Sequence, residues 1–244
     1  MKINIRKFTQ LEQKDQIKEF KVEQDNLLKA LEEIKKNQDS SLAYRCGCKS
    51  GVCGSCAIRV NGIEKLACRT TLKDGDLIEP LKNSKVIKDL IVDVSHETLL
   101  IKKTNSPIKQ KKENLTLTQK DVLKIDIQSN CILCNACYSS CPVYDVNKEF
   151  LGPFALTRAL RYENDKKGQN EEIINNIQTN GIWDCTLCSA CTFVCPQGID
   201  PKMDIMQLQN ISIQKGYSNP YMNTFDNNMG FDSNDFGFDP NGSF

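Results

Sequence analysis

Thirteen cysteines are the side chains of this 244-residue chain with the most obvious chemistry, and they fall into three groups. Thiolates bind soft metal ions and metal clusters, and pairs of thiols form disulfides. A disulfide framework is typical of short secreted chains with scattered cysteines, whereas tight grouping in a longer chain favours metal binding. We therefore expect most of these cysteines to be metal ligands.

The first group lies in the stretch YRCGCKSGVCGSC, with one further cysteine in LAC. Four of its cysteines have the spacing C-x4-C-x2-C-x11-C, which is typical of plant-type [2Fe–2S] clusters. Glycines in the loop let the main chain curl closely around a cluster, so that backbone N–H groups reach its sulfides. Zinc fits less well, because zinc sites usually have two C-x2-C pairs. The predicted ligands of this cluster are Cys48, Cys53, Cys56 and Cys68.

The second and third groups, CILCNACYSSCP and CTLCSACTFVCP, share the spacing C-x2-C-x2-C-x3-C-P. In bacterial ferredoxins with this spacing, the fourth cysteine of each run ligates the cluster of the other run. Zinc could be held by either run alone, but the proline after each fourth cysteine and the lack of histidine argue against it. We predict one [4Fe–4S] cluster on Cys131, Cys134, Cys137 and Cys195, and a second on Cys141, Cys185, Cys188 and Cys191.

Two more residues with metal-binding side chains lie outside these patterns. Cys46 breaks the spacing of the first group, and we expect it to be a buried or partly buried free thiol near that cluster. His96 is the only histidine and lies far from every cysteine run along the chain, so we expect it in a solvated helix.

The elements that must position the first group predict a small β-grasp fold. KINIRKF and IKEFKVE alternate like strands, and DNLLKALEEIKKNQ predicts a helix capped by Asp25, with its apolar residues on one face. A hairpin follows, turning at Asn61 and Gly62, and LIEPL could close the sheet.

The second half of the chain has helical patterns. FALTRALRYEND and NEEIINNIQTNGIW lie between the two ferredoxin runs and predict helices, which makes this half a pseudo-repeat of cluster loop and helix. The fold class is therefore α+β: a β-grasp [2Fe–2S] ferredoxin domain, then an α-helical ferredoxin domain with two cubane clusters. We place these domains at 1–104 and 118–215, with a linker at 105–117 and an Asn-, Asp- and Phe-rich tail at 216–244.

Composition excludes some classes of function. The net charge of +1 comes from 32 basic and 31 acidic side chains, which gives no overall field for nucleic acid. No apolar stretch reaches the roughly 18 residues of a membrane span, and the start MKINIRKF lacks the apolar core of a signal peptide. Any membrane association is therefore expected to come through a partner.

This order of domains resembles the iron–sulfur subunits of succinate dehydrogenases and fumarate reductases. The resemblance covers about residues 1–210 and rests on the three cysteine groups together with FLGPFALTRALRY and CPQGIDP. It implies a respiratory electron-relay subunit with no catalytic residue of its own, placed between a flavoprotein with covalent FAD and a membrane quinone site. Electrons would pass through the three centres in their order along the chain. The subunit would be peripheral to the inner (cytoplasmic) membrane through its partners.

Two departures from that family narrow the resemblance. Familiar members have an isoleucine or similar residue where Cys188 stands, and their third cluster has three irons, so a cysteine here implies [4Fe–4S], with [3Fe–4S] as the alternative. Familiar members also have a Trp and a His of the quinone pocket where this chain has Val146 and Thr186. Both changes resemble the type E branch, which includes methylmenaquinol:fumarate reductases and has a cysteine-rich (CCG-motif) anchor subunit linked to the menaquinol pool.

Other functions remain open from the sequence alone. One is an iron–sulfur subunit of a glycolate- or heterodisulfide-type oxidoreductase, a class that shares the paired ferredoxin runs but usually lacks the [2Fe–2S] domain. Another is a non-redox zinc scaffold. The tail could be a disordered end or a segment that docks on a partner, since five of the ten phenylalanines lie in it. The sequence does not indicate the direction of catalysis, the quinone or the side of the membrane.

Overall fold

The computed structural model describes residues 1–9, 14–104, 115–168 and 172–222. Most of the predicted linker and most of the predicted tail, residues 105–114 and 223–244, lie outside the described part. A mixed sheet with one crossing helix forms the N-terminal part, and short helices around two longer ones form the C-terminal part. The expected α+β class is confirmed.

The sheet is built around the first strand, whose Ile3 and Ile5 are fully buried on one face. The strands are β1 (Lys2–Thr9), β2 (Lys14–Lys21), β3 (Ala57–Val60), β4 (Ile63–Leu66), β5 (Leu77–Glu79), β6 (Val86–Lys88) and β7 (Ile91–Val92). Strand β1 pairs with β2 in antiparallel register on one side and with β5 in parallel register on the other, and β3 joins β5 to β4. Strands β6 and β7 are too short to show alternation and were not predicted.

Helix α1 (Leu27–Asn37) packs its predicted apolar face on this sheet. The predicted cap, Asp25, is wrong by one residue: Asn26 caps the helix by accepting from the N–H of Lys29 at 3.2 Å. The amide nitrogen of Asn26 also donates to the carbonyl of Cys68 at 3.0 Å. The cap therefore has a second partner, which ties the helix to the strand end that carries the fourth cysteine of the first group.

The hairpin turn at Asn61 and Gly62 is confirmed. Both residues have positive φ, 51° and 81°, as a two-residue turn of this kind requires. The side chain of Asn61 bonds to the carboxylate of Asp76 at 2.7 Å and accepts from the N–H of Leu77 at 2.8 Å. The turn is thereby fastened to the start of β5.

In the C-terminal part, helices α7 (Pro153–Glu163) and α10 (Pro201–Gln214) pack against each other and form the centre of a second hydrophobic core.

The prediction of one continuous helix over NEEIINNIQTNGIW is wrong, because the described residues of this stretch form only one short helix and a 3-10 turn at Ile182–Asp184. Asn180 has a φ of 50°, and a Cβ at Gly181 would lie 1.9 Å from the carbonyl of Ile177, so a regular helix cannot continue there. The helices are α2 (His96–Lys103), α3 (Gln119–Leu123), α4 (Asp126–Ser129), α5 (Ala136–Ser139), α6 (Pro142–Val146), α7 (Pro153–Glu163), α8 (Ile173–Asn176), α9 (Ala190–Phe193) and α10 (Pro201–Gln214).

The two parts meet through hydrogen bonds at α5. The hydroxyl of Ser139 accepts from the N–H of Lys82 at 2.8 Å and donates to the buried carboxylate of Glu64 at 2.7 Å. The amide of Asn83 donates to the carbonyl of Tyr138 at 2.8 Å. In the part of the chain described, no helix is long and apolar enough to span a membrane.

Candidate metal centres

Three cysteines of the first predicted ligand set, Cys48, Cys53 and Cys56, lie in the loop between α1 and β3, and the fourth, Cys68, lies in the 3-10 turn Ala67–Arg69 that follows β4. The sulfur of Cys48 accepts from the N–H groups of Val52 and Cys53 at 3.3 Å, and from that of Ser50 at 3.4 Å. Hydrogen bonds from Ser50, followed by that from Val52, lower the pKa of the Cys48 thiol to about 5. The loop is therefore already shaped to stabilise a thiolate at this position.

Cys56 and Cys68 lie on the sheet side of the same site, where they contact the first hydrophobic core. Burial raises the pKa of Cys56 to about 11, with Cys68 as its hydrogen-bonding neighbour. A thiol so disposed ionises at neutral pH when a bound metal supplies positive charge. A Cβ at Gly47 would lie 2.9 Å from the sulfur of Cys53, so the main chain approaches the ligands closely there.

The second predicted ligand set lines one cavity. Two of its cysteines come from the loop before α5, one lies in α5 itself, and the fourth comes from the loop before α10. Burial raises the pKa of Cys134 to about 12 and also raises the pKa of Cys137 well above its ordinary value. The four cysteines at this cavity are Cys131, Cys134, Cys137 and Cys195.

The third predicted ligand set lines another cavity. Cys141 lies at the N-terminus of α6, where its sulfur accepts from the N–H of Tyr144 at 3.4 Å. Burial raises the pKa of Cys191 to about 12, whereas Cys188 is exposed to solvent. The four cysteines at this cavity are Cys141, Cys185, Cys188 and Cys191.

Each of these two cavities thus combines three cysteines of one run with the fourth cysteine of the other. The thiols surround a space rather than a point: among the described side chains, no three His, Cys, Asp or Glu groups are placed to hold a single metal ion. Walls of four thiols fit a cluster of several metal atoms, which has one ligand for each corner.

The two ferredoxin runs share an unusual backbone. Leu133 and Asn135 have φ values of 53° and 63°, and Leu187 and Ser189 have values of 54° and 67°. Non-glycine residues seldom adopt this left-handed conformation, so its repetition reflects a common loop shape. Cys134 and Cys188 each lie between two such residues, and the backbone at Cys188 is therefore equivalent to that at Cys134.

The three cysteine sites lie next to each other in space, in the order in which they occur along the chain. A Cβ at Gly54, next to Cys53, would lie 2.9 Å from the Cβ of Cys134 and 2.8 Å from the carbonyl of Ile132. The amide of Gln197 donates to the carbonyl of Gly51 at 3.1 Å. The first site therefore contacts both segments that supply the second, and the exchanged cysteines join the second to the third.

Two expectations from the sequence are wrong. Cys46 is exposed rather than buried or partly buried, like Cys48 two residues further along the loop. His96 is half-buried beside the second ligand set: its Nε2 lies 3.0 Å from the Oδ1 of Asn135, and its ring packs on those of Tyr138 and Tyr144. The long separation along the chain concealed this contact.

Sequence reasoning also missed Asn135 and Glu97, whose side chains bond to each other. The sequence did contain a signal for Asn135. It directly follows the second cysteine of its run, and the corresponding residue of the other run, Ser189, is also polar. Val146 and Thr186 are both exposed, and Thr186 lies at the edge of the third cavity.

The contact at Gly54 gives a testable result. Replacing Gly54 by alanine strains a residue with a φ of 71° and presses its Cβ on the backbone of Ile132, and we expect a loss of stability. Gly75→Ala is the matched control, since Gly75 has a φ of 84° and a Cβ there would meet no other atom within 4 Å. Thermal unfolding of the metal-loaded protein should show Gly54→Ala less stable than the control by about 1–3 kcal/mol. Equal melting of the two variants would contradict the close approach of the loops.

Comparison with known proteins identifies two iron–sulfur domains in this chain and a similar fold elsewhere. A family model described as a 2Fe-2S iron-sulfur cluster binding domain matches residues 2–98, and one described as a 4Fe-4S dicluster domain matches residues 127–199. The fold is similar to that of a chain in the Mycobacterium smegmatis Sdh1 complex in the apo form, with a TM-score of 0.74 and 22% identity over 89% of this chain and 97% of that one.

Proteins related in sequence identify the family more specifically than the domain and fold matches do. The fumarate reductase iron-sulfur subunit of Escherichia coli O6:H1 is 39% identical over 193 residues, which cover 75% of this chain and 79% of that protein. The 8-methylmenaquinol:fumarate reductase iron-sulfur subunit of Wolinella succinogenes is 34% identical over 211 residues, which cover 80% of this chain and 66% of that protein. The chain belongs to the family of iron–sulfur subunits of fumarate reductases and succinate dehydrogenases.

Proposed function

We propose that this chain is the electron-transfer subunit of a membrane-associated succinate dehydrogenase or fumarate reductase. It connects an FAD-containing flavoprotein subunit with a quinone-linked anchor subunit. The observation that carries the proposal is the presence of three four-cysteine sites in one chain, with the first in contact with the second and the second joined to the third by exchanged cysteines.

The residues fit one [2Fe–2S] and two [4Fe–4S] clusters, held by the three ligand sets named above. When bound, such clusters accept and donate single electrons. The chain supplies the thiolates, the backbone N–H groups near Cys48, and the apolar surroundings of the two ferredoxin sites. The short separation of Gly54 from Cys134 keeps the first two sites close, which is what transfer between them requires.

Two alternatives have less support. A zinc scaffold does not account for exchanged cysteines that line two cavities, since each ferredoxin run alone would supply four ligands for one zinc ion. A glycolate- or heterodisulfide-type subunit does not account for the [2Fe–2S] domain over residues 2–98. None of the relatives described above favours either alternative.

The type E branch is our proposal for the finer assignment. Cys188 lies at the third site with a backbone equivalent to that at Cys134, which suits a third [4Fe–4S] cluster. Val146 is 86% exposed, and it lacks the indole that the familiar quinone pocket uses at this position. We infer a cysteine-rich anchor subunit and a menaquinol-type pool, with the complex peripheral to the inner membrane through its partners.

Metal content and reduction by substrate test the proposal. We expect the purified complex to absorb broadly in the visible range and to contain equal amounts of iron and acid-labile sulfide. Succinate should bleach this absorbance through the copurified flavoprotein, and reoxidation by fumarate should restore it. A colourless, zinc-containing protein would overturn the proposal, and so would clusters that respond to neither substrate in a complex with intact flavin.

A further inference from the structure

The side-chain amide of Asn135 is fully engaged in hydrogen bonds beside the second cysteine site. Asn135 is 3% exposed and follows Cys134 directly. Its nitrogen donates to the carboxylate of Glu97 and to the carbonyl of Leu133, the latter at 3.2 Å. An amide oxygen can only accept, so the Nε2–H of His96 donates to it at 3.0 Å.

Both side-chain partners come from the first turn of α2, the helix that follows the N-terminal core. His96 and Glu97 are half-buried, and the ring of His96 is held by Tyr138 and Tyr144 at centroid distances of 5.4 and 5.9 Å. Asn135 therefore ties α2 to the segment that carries three of the four cysteines of the second site.

The equivalent position of the other ferredoxin run has a different side chain. Ser189 has nearly the same backbone as Asn135, and neither side chain caps the helix that follows. Among the described residues, the short side chain of Ser189 is not bonded to a carboxylate as that of Asn135 is. The two runs therefore differ in the side chain at this position and not in the shape of the loop. Of the two ferredoxin sites, the second has a carboxylate, that of Glu97, held beside it.

The same residues face the first site. A cavity of about 200 Å³ separates the loop of Cys53 from the loop of Cys134, and both Glu97 and Asn135 line it. The guanidinium of Arg45 is also at this cavity and is fixed by a 3.0 Å bond to the carbonyl of Val92. The tie therefore lies between the two sites that must exchange electrons.

We propose that Asn135 is a positioning residue that holds the Glu97 carboxylate against the second site and thereby lowers the reduction potential of the cluster bound there. A negative charge near a cluster disfavours its reduced, more negative form, and net charge is among the factors that set these potentials. The inference deepens the proposed function and rests on it. The structure assigns this role to the second site only, because Ser189 leaves the third without it.

Redox titration of the intact complex, monitored by electron paramagnetic resonance, tests the proposal. We expect Glu97→Gln and Asn135→Ala each to shift the midpoint potential of the second cluster to more positive values and to change its line shape. Asn135→Leu keeps roughly the size of the side chain and adds no charge, but it loses the donor to Glu97, so it should shift the potential as Asn135→Ala does. Ser189→Ala, at the equivalent backbone position, should leave the second cluster unchanged.

The outcomes separate this inference from the proposed function. An unchanged second-cluster potential in Glu97→Gln, which removes only the charge, would overturn the inference even if Asn135→Ala failed to fold. An equal shift in Ser189→Ala would also overturn it, since the effect would then be general loop damage. Wild-type protein that gave no iron–sulfur signal at all would instead refute the proposed function.

Discussion

Replacing Cys53 by alanine is expected to abolish turnover with quinone in the assembled complex, while succinate still reduces the flavin of the partner subunit. Cys53 is the first-site cysteine that lines the cavity shared with Cys134, and its neighbour Gly54 contacts that residue. Alanine supplies no ligand atom, so the cluster at the first site loses a corner. Electrons from the flavin then have no route to the second and third sites.

The measurement compares two reactions of one preparation. Flavin reduction by succinate is followed by the loss of flavin absorbance, and quinone reduction is followed in the same complex. Cys46→Ala is the matched control, because Cys46 is an exposed cysteine of the same loop outside the ligand set. We expect the control to retain both reactions. Quinone reduction at the wild-type rate in Cys53→Ala would contradict the electron path, and loss of flavin reduction in a folded complex would contradict its order.

The grouping of cysteines around the two ferredoxin cavities could be predicted because the spacing within each run is local. A loop such as CILCNAC determines its own shape within a few residues, and the left-handed residues on either side of Cys134 recur around Cys188. The Asn61–Gly62 hairpin was predictable for the same reason, since only those two residues need positive φ. The exchange of fourth cysteines followed from the paired runs, and the structure places the side chains in those two sets.

Contacts between distant segments could not be predicted in this way. His96 and Asn135 are 39 residues apart, and no periodicity connects them. The helix cap shows the same limit on a smaller scale, because Asp25 and Asn26 are equally good caps by residue type. The cap is Asn26, whose amide also donates to the carbonyl of Cys68, 42 residues away. In both cases a contact with a residue distant along the chain determines the structure.

Replacing Cys188 by alanine is expected to convert the third centre from [4Fe–4S] to [3Fe–4S]. Cys188 lies with Cys141, Cys185 and Cys191 around one cavity, and its backbone matches that of Cys134. It is also the exposed member of this set, so an iron bound to it would be the one nearest to solvent. Without its thiolate, we expect that iron to be lost while the other three cysteines retain the rest of the cluster.

Electron paramagnetic resonance of an anaerobic, oxidised sample distinguishes the two forms. An oxidised three-iron core is paramagnetic, whereas a four-iron core in its oxidised resting state gives no signal. We expect wild-type protein to be silent and Cys188→Ala to show the three-iron signal, with iron falling below acid-labile sulfide. Cys46→Ala should be silent like the wild type. A full three-iron signal in anaerobic wild-type protein would mean that Cys188 is a bystander thiol.

The number of irons also bears on the electron acceptor. A three-iron core begins its cycle with all irons ferric, whereas a four-iron core accepts its electron when half of its irons are already ferrous. An all-ferric core accepts an electron more readily than a core that is already half ferrous, so the four-iron centre has the lower potential, and Cys188→Ala should raise it. A low-potential third centre transfers electrons readily to and from a menaquinol-type partner. The rise in potential should therefore slow electron transfer from the variant's third centre to menaquinone more than it slows reduction of a high-potential artificial acceptor.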